Sequence, residues 1–311
     1  MDSLSAEAGL PPDGAKPPEW DGRDIGDLLG LARLSESRFR SLRAETNEHG
    51  RIYGGQILGQ ALAAASETAP KDRFASCVQL VFAAGGLPDR AIDFEVQTVQ
   101  EGKRFSARHV RGMQQEGRIL CDANVTFAKA LESPAHEAPP PPDCGLDRDP
   151  AACPALEDID DASVRDVERT LNYMYRPHRA IDMRAPFVED LLPAPSAEPR
   201  MRFWNRLQQD LGDRPALHAA AFAYLSDYWI NFAACIAHVS AMAERDARLY
   251  VASLNHAVWF HRPLRADAWL LFDCVSPSGA FGRGLANARV YSRAGDLVAS
   301  ATQECLLAPM G

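Results

Sequence analysis

The alternation of apolar and polar positions is clearest between residues 51 and 70. Within Arg51-Ile52-Tyr53-Gly54-Gly55-Gln56-Ile57-Leu58-Gly59-Gln60-Ala61-Leu62-Ala63-Ala64-Ala65, the apolar residues Ile57, Leu58, Ala61, Leu62 and Ala65 follow the i, i+1, i+4, i+5, i+8 spacing of a helix with one buried face. Glu67-Thr68-Ala69-Pro70 supplies the stop. Gly54 and Gly55 open this helix, and its alanines and Gly59 predict a backbone lying close to a sheet. Strand-like segments follow over 74–82, 91–99, 104–113 and 118–127, with turn residues between them. The order then returns: a long apolar helix over 215–242, and strands over 249–260, 269–275, 284–291 and 297–307. A long helix followed by an antiparallel meander, written twice, predicts an internal repeat.

A break separates the repeats. Pro134, Pro139, Pro140, Pro141, Pro142 and Pro150 cannot sustain ladder or helix hydrogen bonds. The expected organisation is a mobile tail over 1–22, a first unit over 23–131, a Pro-rich linker over 132–174 and a second unit over 175–308. The last hairpins of the two units align, Gly117–Val125 against Gly295–Gln303, which sets Val125 opposite Gln303. A methyl pair in one unit faces an amide in the other, so one working site per pair of repeats is expected, in the half that carries Gln303.

Composition narrows the function. At 311 residues, with 46% hydrophobic and 24% charged positions, the chain has room for two globular units. A net charge of −9 disfavours a nucleic-acid binder, whose phosphate contacts demand a basic face. It leaves room for an anionic small ligand, to which Arg51, Lys103, Arg104 and Arg108 could supply local cations. Seven scattered cysteines without a Cys-x-x-Cys pair read as reduced thiols, and neither a metal nor a cofactor is called for. No segment reaches the ~18 apolar residues of a membrane span. The acidic start, Met1-Asp2-Ser3-Leu4-Ser5-Ala6-Glu7, and the tail Ala308-Pro309-Met310-Gly311, which is unlike a Ser-Lys-Leu address, lead to a cytoplasmic expectation.

There is no Gly-x-Ser-x-Gly elbow, no phosphate-binding Walker sequence and no His-Glu-x-x-His, so hydrolysis would have to use an activated water. Gly279, Gly282 and Gly284 read as a hairpin turn rather than a dinucleotide loop. Asp227 stands inside the apolar run Ala219–Ile230, where a carboxylate is costly unless paired or employed. On its own, Ser253 reads as a small polar residue tolerated in a strand, and Gln303 equally as an edge-strand polar residue or a site residue.

Several stretches resemble the acyl-CoA thioesterase II family of double hot-dog thioesterases. They are the Gly54-Gly55-Gln56 helix, Tyr224-Leu225-Ser226-Asp227-Tyr228, Ala252-Ser253-Leu254-Asn255-His256, Trp259-Phe260-His261-Arg262-Pro263 and Leu297-Val298-Ala299-Ser300-Ala301-Thr302-Gln303-Glu304. The resemblance spans roughly residues 24–308 and implies an α+β fold: two antiparallel sheets, each wrapping a long helix, fused edge to edge, with 23–131 and 175–308 as the two hot-dogs. It implies hydrolysis of fatty acyl-CoA, with Asp227 accepting the proton of a water that Ser253 and Gln303 help to hold. It also suggests Gly54, Gly55, Gln56 and Arg51 as substrate-binding residues, with the two glycines at a helix N-terminus whose free N–H groups suit an oxyanion. Self-association into a homo-oligomer is a further expectation. The chain departs from the family pattern at Asn255, at Gln79 and in Phe82-Ala83-Ala84-Gly85-Gly86. Two alternatives stay open: a hot-dog enoyl-CoA hydratase built on Asp213 and His218, and a catalytically silent acyl-CoA-binding protein.

Overall fold

The structure, a computed structural model, describes residues 16–115, 117–159, 162–171, 178–193 and 199–310. The first half runs α1 (Ile25–Leu29), β1 (Leu31–Arg33), β2 (Arg38–Ser41), α2 (Gly54–Thr68), β3 (Phe74–Phe82), β4 (Asp93–Glu101), β5 (Phe105–Gln114) and β6 (Arg118–Ala128). After α3 (Ala162–Leu171) come β7 (Ile181–Arg184), β8 (Arg200–Leu207), α4 (Pro215–Ser226), α5 (Phe232–Cys235) and α6 (Val239–Ala243). The chain closes with β9 (Arg248–Phe260), β10 (Leu270–Ala280), β11 (Arg283–Ser292) and β12 (Leu297–Met310).

All twelve strands form one sheet in the order β1-β2-β4-β5-β6-β3-β9-β12-β11-β10-β8-β7. The second half of that order is the first half reversed, so β3 and β9 are the seam, pairing antiparallel through Val78↔Val258 and Leu80↔His256. This edge-to-edge junction closes the strand edges that each unit alone would leave unpaired. The registers on either side agree. Val78 pairs with Val125 across β3 and β6, and His256 pairs with Gln303 across β9 and β12. Each central strand also carries a bulge at the same place: β3 skips a residue between Ala75 and Cys77, and β9 skips one between Ser253 and Asn255.

Both helices lie on one face, since α2 and α4 pack on each other and each touches β3. Every residue of α2 from Gly55 to Ala65 is buried, as expected for a helix held between a sheet and a second helix. The glycines of α2 therefore serve a different approach from the one expected. A Cβ on Gly55 would lie 2.5 Å from the Tyr224 carbonyl oxygen, and one on Gly59 would lie 2.9 Å from that of Ala220. The close neighbour is the α4 backbone, not the sheet.

The long helix expected over 215–242 ends at Ser226. Beyond it, Tyr228, Phe232 and Ala233 donate to the carbonyls of Leu225, Trp229 and Ile230, three residues back, so tight turns replace the α-helical ladder. The run stays apolar through the break, which is why periodicity did not reveal it. Residues 1–15 of the expected tail lie outside the described residues; from Pro17 on, the chain is docked, with Trp20 buried and its N–H hydrogen-bonded to the Ala44 carbonyl. The Pro-rich segment is also packed down. Cys144 and Cys153 join Trp204, Leu271 and Tyr291 in a small second core, and α3 falls within the span expected as linker. Gly282 and Phe281 form the two-residue β10–β11 turn with φ of 73° and 53°, the left-handed geometry such hairpins need. All seven cysteines are free, and burial pushes the Cys121 thiol up to about 12 and the Cys77 thiol up to about 11.

Candidate active site

Asp227 caps the C-terminal end of α4 and is only 5% exposed. Ending the helix there turns the carboxylate toward the central strands. Its Oδ1 accepts from the Ser253 hydroxyl at 3.1 Å and from the Gln303 amide at 2.6 Å. The second hydrogen of the same amide goes to Ser253 Oγ at 2.7 Å. A helix end and two adjacent strands thus meet in a closed triangle of hydrogen bonds. The bonds to the carboxylate are of the strong, charge-assisted kind, and they fix its rotation. The β9 bulge sits directly after Ser253, a device that re-aims side chains beside functional sites.

The other carboxylate oxygen, Oδ2, faces the first turn of α2: a Cβ added at Gly54 would sit 2.6 Å from it and 3.3 Å from the Phe82 ring. Tyr53 precedes α2 without a side-chain cap. A helix N-terminus carries partial positive charge, so this turn favours the carboxylate and any oxyanion formed next to it.

Behind the triangle lies His256, which the sequence marks as a structural hydrogen-bonding residue. His256 is buried, with Nε2 3.0 Å from Ser226 Oγ and Nδ1 3.5 Å from Asp227 Oδ1. Ser226 donates its hydrogen to the Ala223 carbonyl, so it accepts from His256 and fixes the proton on Nε2. His256 and Gln303 sit at directly paired positions of β9 and β12.

A cavity of about 420 Å³ opens in front of Asp227 and Ser253. Gly54, Ile57, Phe82 and Phe232 contribute to its wall, and Arg51 lies at its exposed rim beside Gly85. Gln303 does not line it and reaches it only through the two side chains it holds. Of the other residues expected to contact substrate, Gly55 lies under the Tyr53 ring and against α4, and Gln56 is spent on structure. The Gln56 amide accepts from the Glu45 N–H and donates to the Arg43 carbonyl, both at 2.8 Å. Arg108, one of the cations expected for an anionic ligand, is buried and paired with Glu101 at 2.6 Å. Cys235 also faces the cavity, but the hydrogen bond with its neighbour Cys305, together with burial, pushes its thiol well up, which keeps it protonated.

The Asp213–His218 pair lies apart from Asp227, in the lining of a separate cavity. His218 accepts the Ala266 N–H at Nδ1 and meets the Gly212 carbonyl at 2.9 Å through Nε2, so both ring nitrogens are occupied at the opposite end of α4.

A twelve-stranded antiparallel sheet with two helices packed on one face, built from two halves about a single seam, is a double hot-dog. Family models match both halves: the Acyl-CoA thioesterase N-terminal domain over residues 42–128 and the Acyl-CoA thioesterase C-terminal domain over residues 150–307. The chain belongs to the acyl-CoA thioesterase family. It is 29% identical to acyl-coenzyme A thioesterase 8 of Mus musculus over 292 residues, covering 90% of this chain and 87% of that one. It is 26% identical to acyl-CoA thioesterase 2 of Haemophilus influenzae over 291 residues, covering 91% and 97%. Among solved structures it superposes on the acyl-CoA thioesterase II TesB2 of Mycobacterium marinum with a TM-score of 0.73 at 28% identity, over 93% of this chain and 99% of that one. No helix among the described residues is long and apolar enough to cross a membrane.

Proposed function

We propose that the chain hydrolyses fatty acyl-CoA to free fatty acid and CoA, using a water activated at Asp227 and no covalent intermediate. The observation that carries this reading is the buried carboxylate, immobilised through Oδ1 by Ser253 and Gln303 and left with Oδ2 facing the α2 N-terminus. Water bound against Asp227 gives its proton to the carboxylate as its oxygen attacks the thioester carbon. The carbonyl electrons move onto oxygen, which rests against the start of α2 at Gly54. Collapse of that intermediate expels the CoA thiolate, which takes the proton back from Asp227. Ser253 touches the water, whereas Gln303 is a positioning residue.

The test is Asp227→Asn, which keeps size and hydrogen-bonding reach while removing the base. Thiol release from acyl-CoA should fall by roughly 10²–10⁴, while binding of acyl-CoA survives. Full turnover in this variant would sink the assignment. A wild-type protein stabilised by acyl-CoA without releasing thiol would instead establish a silent binding protein. A cytoplasmic location and self-association belong to the same reading. Sedimentation as a monomer alone would count against self-association.

A further inference from the structure

The molecule contains a second, larger cavity of about 600 Å³, at the opposite end of the helix pair. Its lining is the counterpart, through the two-fold relation of the sheet, of the cavity before Asp227. Phe82 after β3 in one corresponds to Phe260 after β9 in the other; Ser253 before the β9 bulge corresponds to Ala75 before the β3 bulge. The start of α2 in one is replaced by the start of α4, at Pro215, Ala216 and Ala219, in the other. The shape is repeated and the chemistry is not. Val125 stands in the place of Gln303 and Val78 in that of His256. The carboxylate at the end of α2, Glu67, lines the cavity and is paired with Arg33 at 2.9 Å.

We propose that this second cavity binds a second acyl-CoA without hydrolysing it. The inference rests on the thioesterase reading of the first cavity. Apolar walls from Phe74, Phe127, Phe260 and Leu264 suit an acyl chain. The lining carries charge of both signs: Glu67, Asp72 and Asp213 stand with Lys71, Arg73, Arg262 and Arg265, and the three arginines are ion-paired, which leaves Lys71 to meet a phosphate. Lys71 has no ion pair among the described residues. Arg73 donates to the Gly102 carbonyl at 2.5 Å, which ties it to the β4–β5 hairpin tip carrying exposed Lys103 and Arg104. Lys103 and Arg104 themselves lie outside the cavity lining, at the hairpin tip that Arg73 reaches.

The experiment titrates the whole protein calorimetrically with a ketone analogue of dodecanoyl-CoA, in which a methylene inserted between carbonyl and sulfur blocks hydrolysis. Two binding events per chain are expected. Ala219→Trp, filling the second cavity, should remove one event and leave thiol release at low substrate concentration unchanged. The surface pair Lys103→Glu with Arg104→Glu should weaken the same event by ~10-fold or more, in a salt-dependent way, with no bearing on the core. A photoreactive acyl-CoA bearing a terminal diazirine should label β3 and the start of α4 in the unmodified chain. One event per chain, insensitive to both sets of substitutions and with labelling confined to the Asp227 cavity, overturns the second site and leaves the thioesterase reading standing. No binding and no thiol release would overturn both.

Discussion

Gly54→Ala is the sharpest test of how Asp227 is placed. The substitution is mild for the helix, since alanine at the first position of α2 is at least as favourable as glycine there. Its methyl, however, would stand 2.6 Å from Asp227 Oδ2, where real Cβ atoms do not come within 3.0 Å of a neighbour. The carboxylate cannot swing aside freely, because Oδ1 is held at 2.6 Å by Gln303 and at 3.1 Å by Ser253. Phe82, 3.3 Å from the same point, blocks a shift of the methyl toward the cavity wall. The strain therefore falls on the carboxylate, which must move by about 0.5 Å or break a bond of the triangle. A misplacement of ~1 Å at a reacting group can cost ~10²-fold in rate. For Gly54→Ala we expect kcat to drop ~10- to 100-fold, a transition-state loss of about 1.4–2.7 kcal/mol. Steady-state thiol release across acyl-CoA concentrations would show the loss in kcat, with thermal unfolding close to wild type. Unchanged kcat in a folded Gly54→Ala protein would mean that the position of Asp227 Oδ2 does not govern the reaction.

Gln303→Ala should lower kcat by ~10–10² with little change in KM, because it frees the carboxylate without touching the cavity wall; near-normal kcat would refute its positioning role. Val125→Gln should not create a second active site, since Glu67, the carboxylate at the end of α2, is paired with Arg33, and titration of active sites by single-turnover thiol release should still count one per chain. Gly59→Leu should destabilise by ~1–3 kcal/mol in chemical denaturation, because its Cβ alone would lie 2.8 Å from Leu29 and 2.9 Å from the Ala220 carbonyl; wild-type stability would mean the helices separate at little cost.

The repeat was legible because the meander strands alternate and their turns are marked, and β3 runs over the very residues expected, Phe74–Phe82. The outer strands β1, β2, β7 and β8 were not anticipated. They are short, and β8 reads Arg200-Met201-Arg202-Phe203-Trp204-Asn205-Arg206-Leu207, whose arginines find partners far away in sequence, Arg200 on Asp273 at 2.7 Å and Arg202 on Asp190 at 2.6 Å. Asp227 stood out as a carboxylate in an apolar run and Gln303 through the asymmetry of the repeats, whereas Ser253, and the joining of all three, came only from family resemblance, since nothing local joins a helix end to two strands. What brings them together is tertiary: a helix that stops one residue before the aspartate, and a bulge that follows the serine. The same logic explains Gln56. Its place in the glycine-opened helix suggested substrate, but a buried amide takes whatever backbone partners the fold provides, and these were Arg43 and Glu45.

The two cavities separate what the fold supplies from what side chains add. The seam, the paired bulges and the packed helices occur on both sides, so they are properties of the duplicated architecture and would persist without any reaction. The differences are a handful of side chains: serine against Ala75, histidine against Val78, glutamine against Val125, and a carboxylate held by Ser253 and Gln303 rather than paired with Arg33. Each apolar replacement removes a hydrogen bond that the next member of the network would need, and a half-completed set would bury an unpaired carboxylate at a cost of several kcal/mol. Loss of one member therefore favours loss of the rest, and the fully polar and fully apolar versions are the two stable ends of that series. The chain carries one of each: the polar set beside one cavity and the apolar set beside the other.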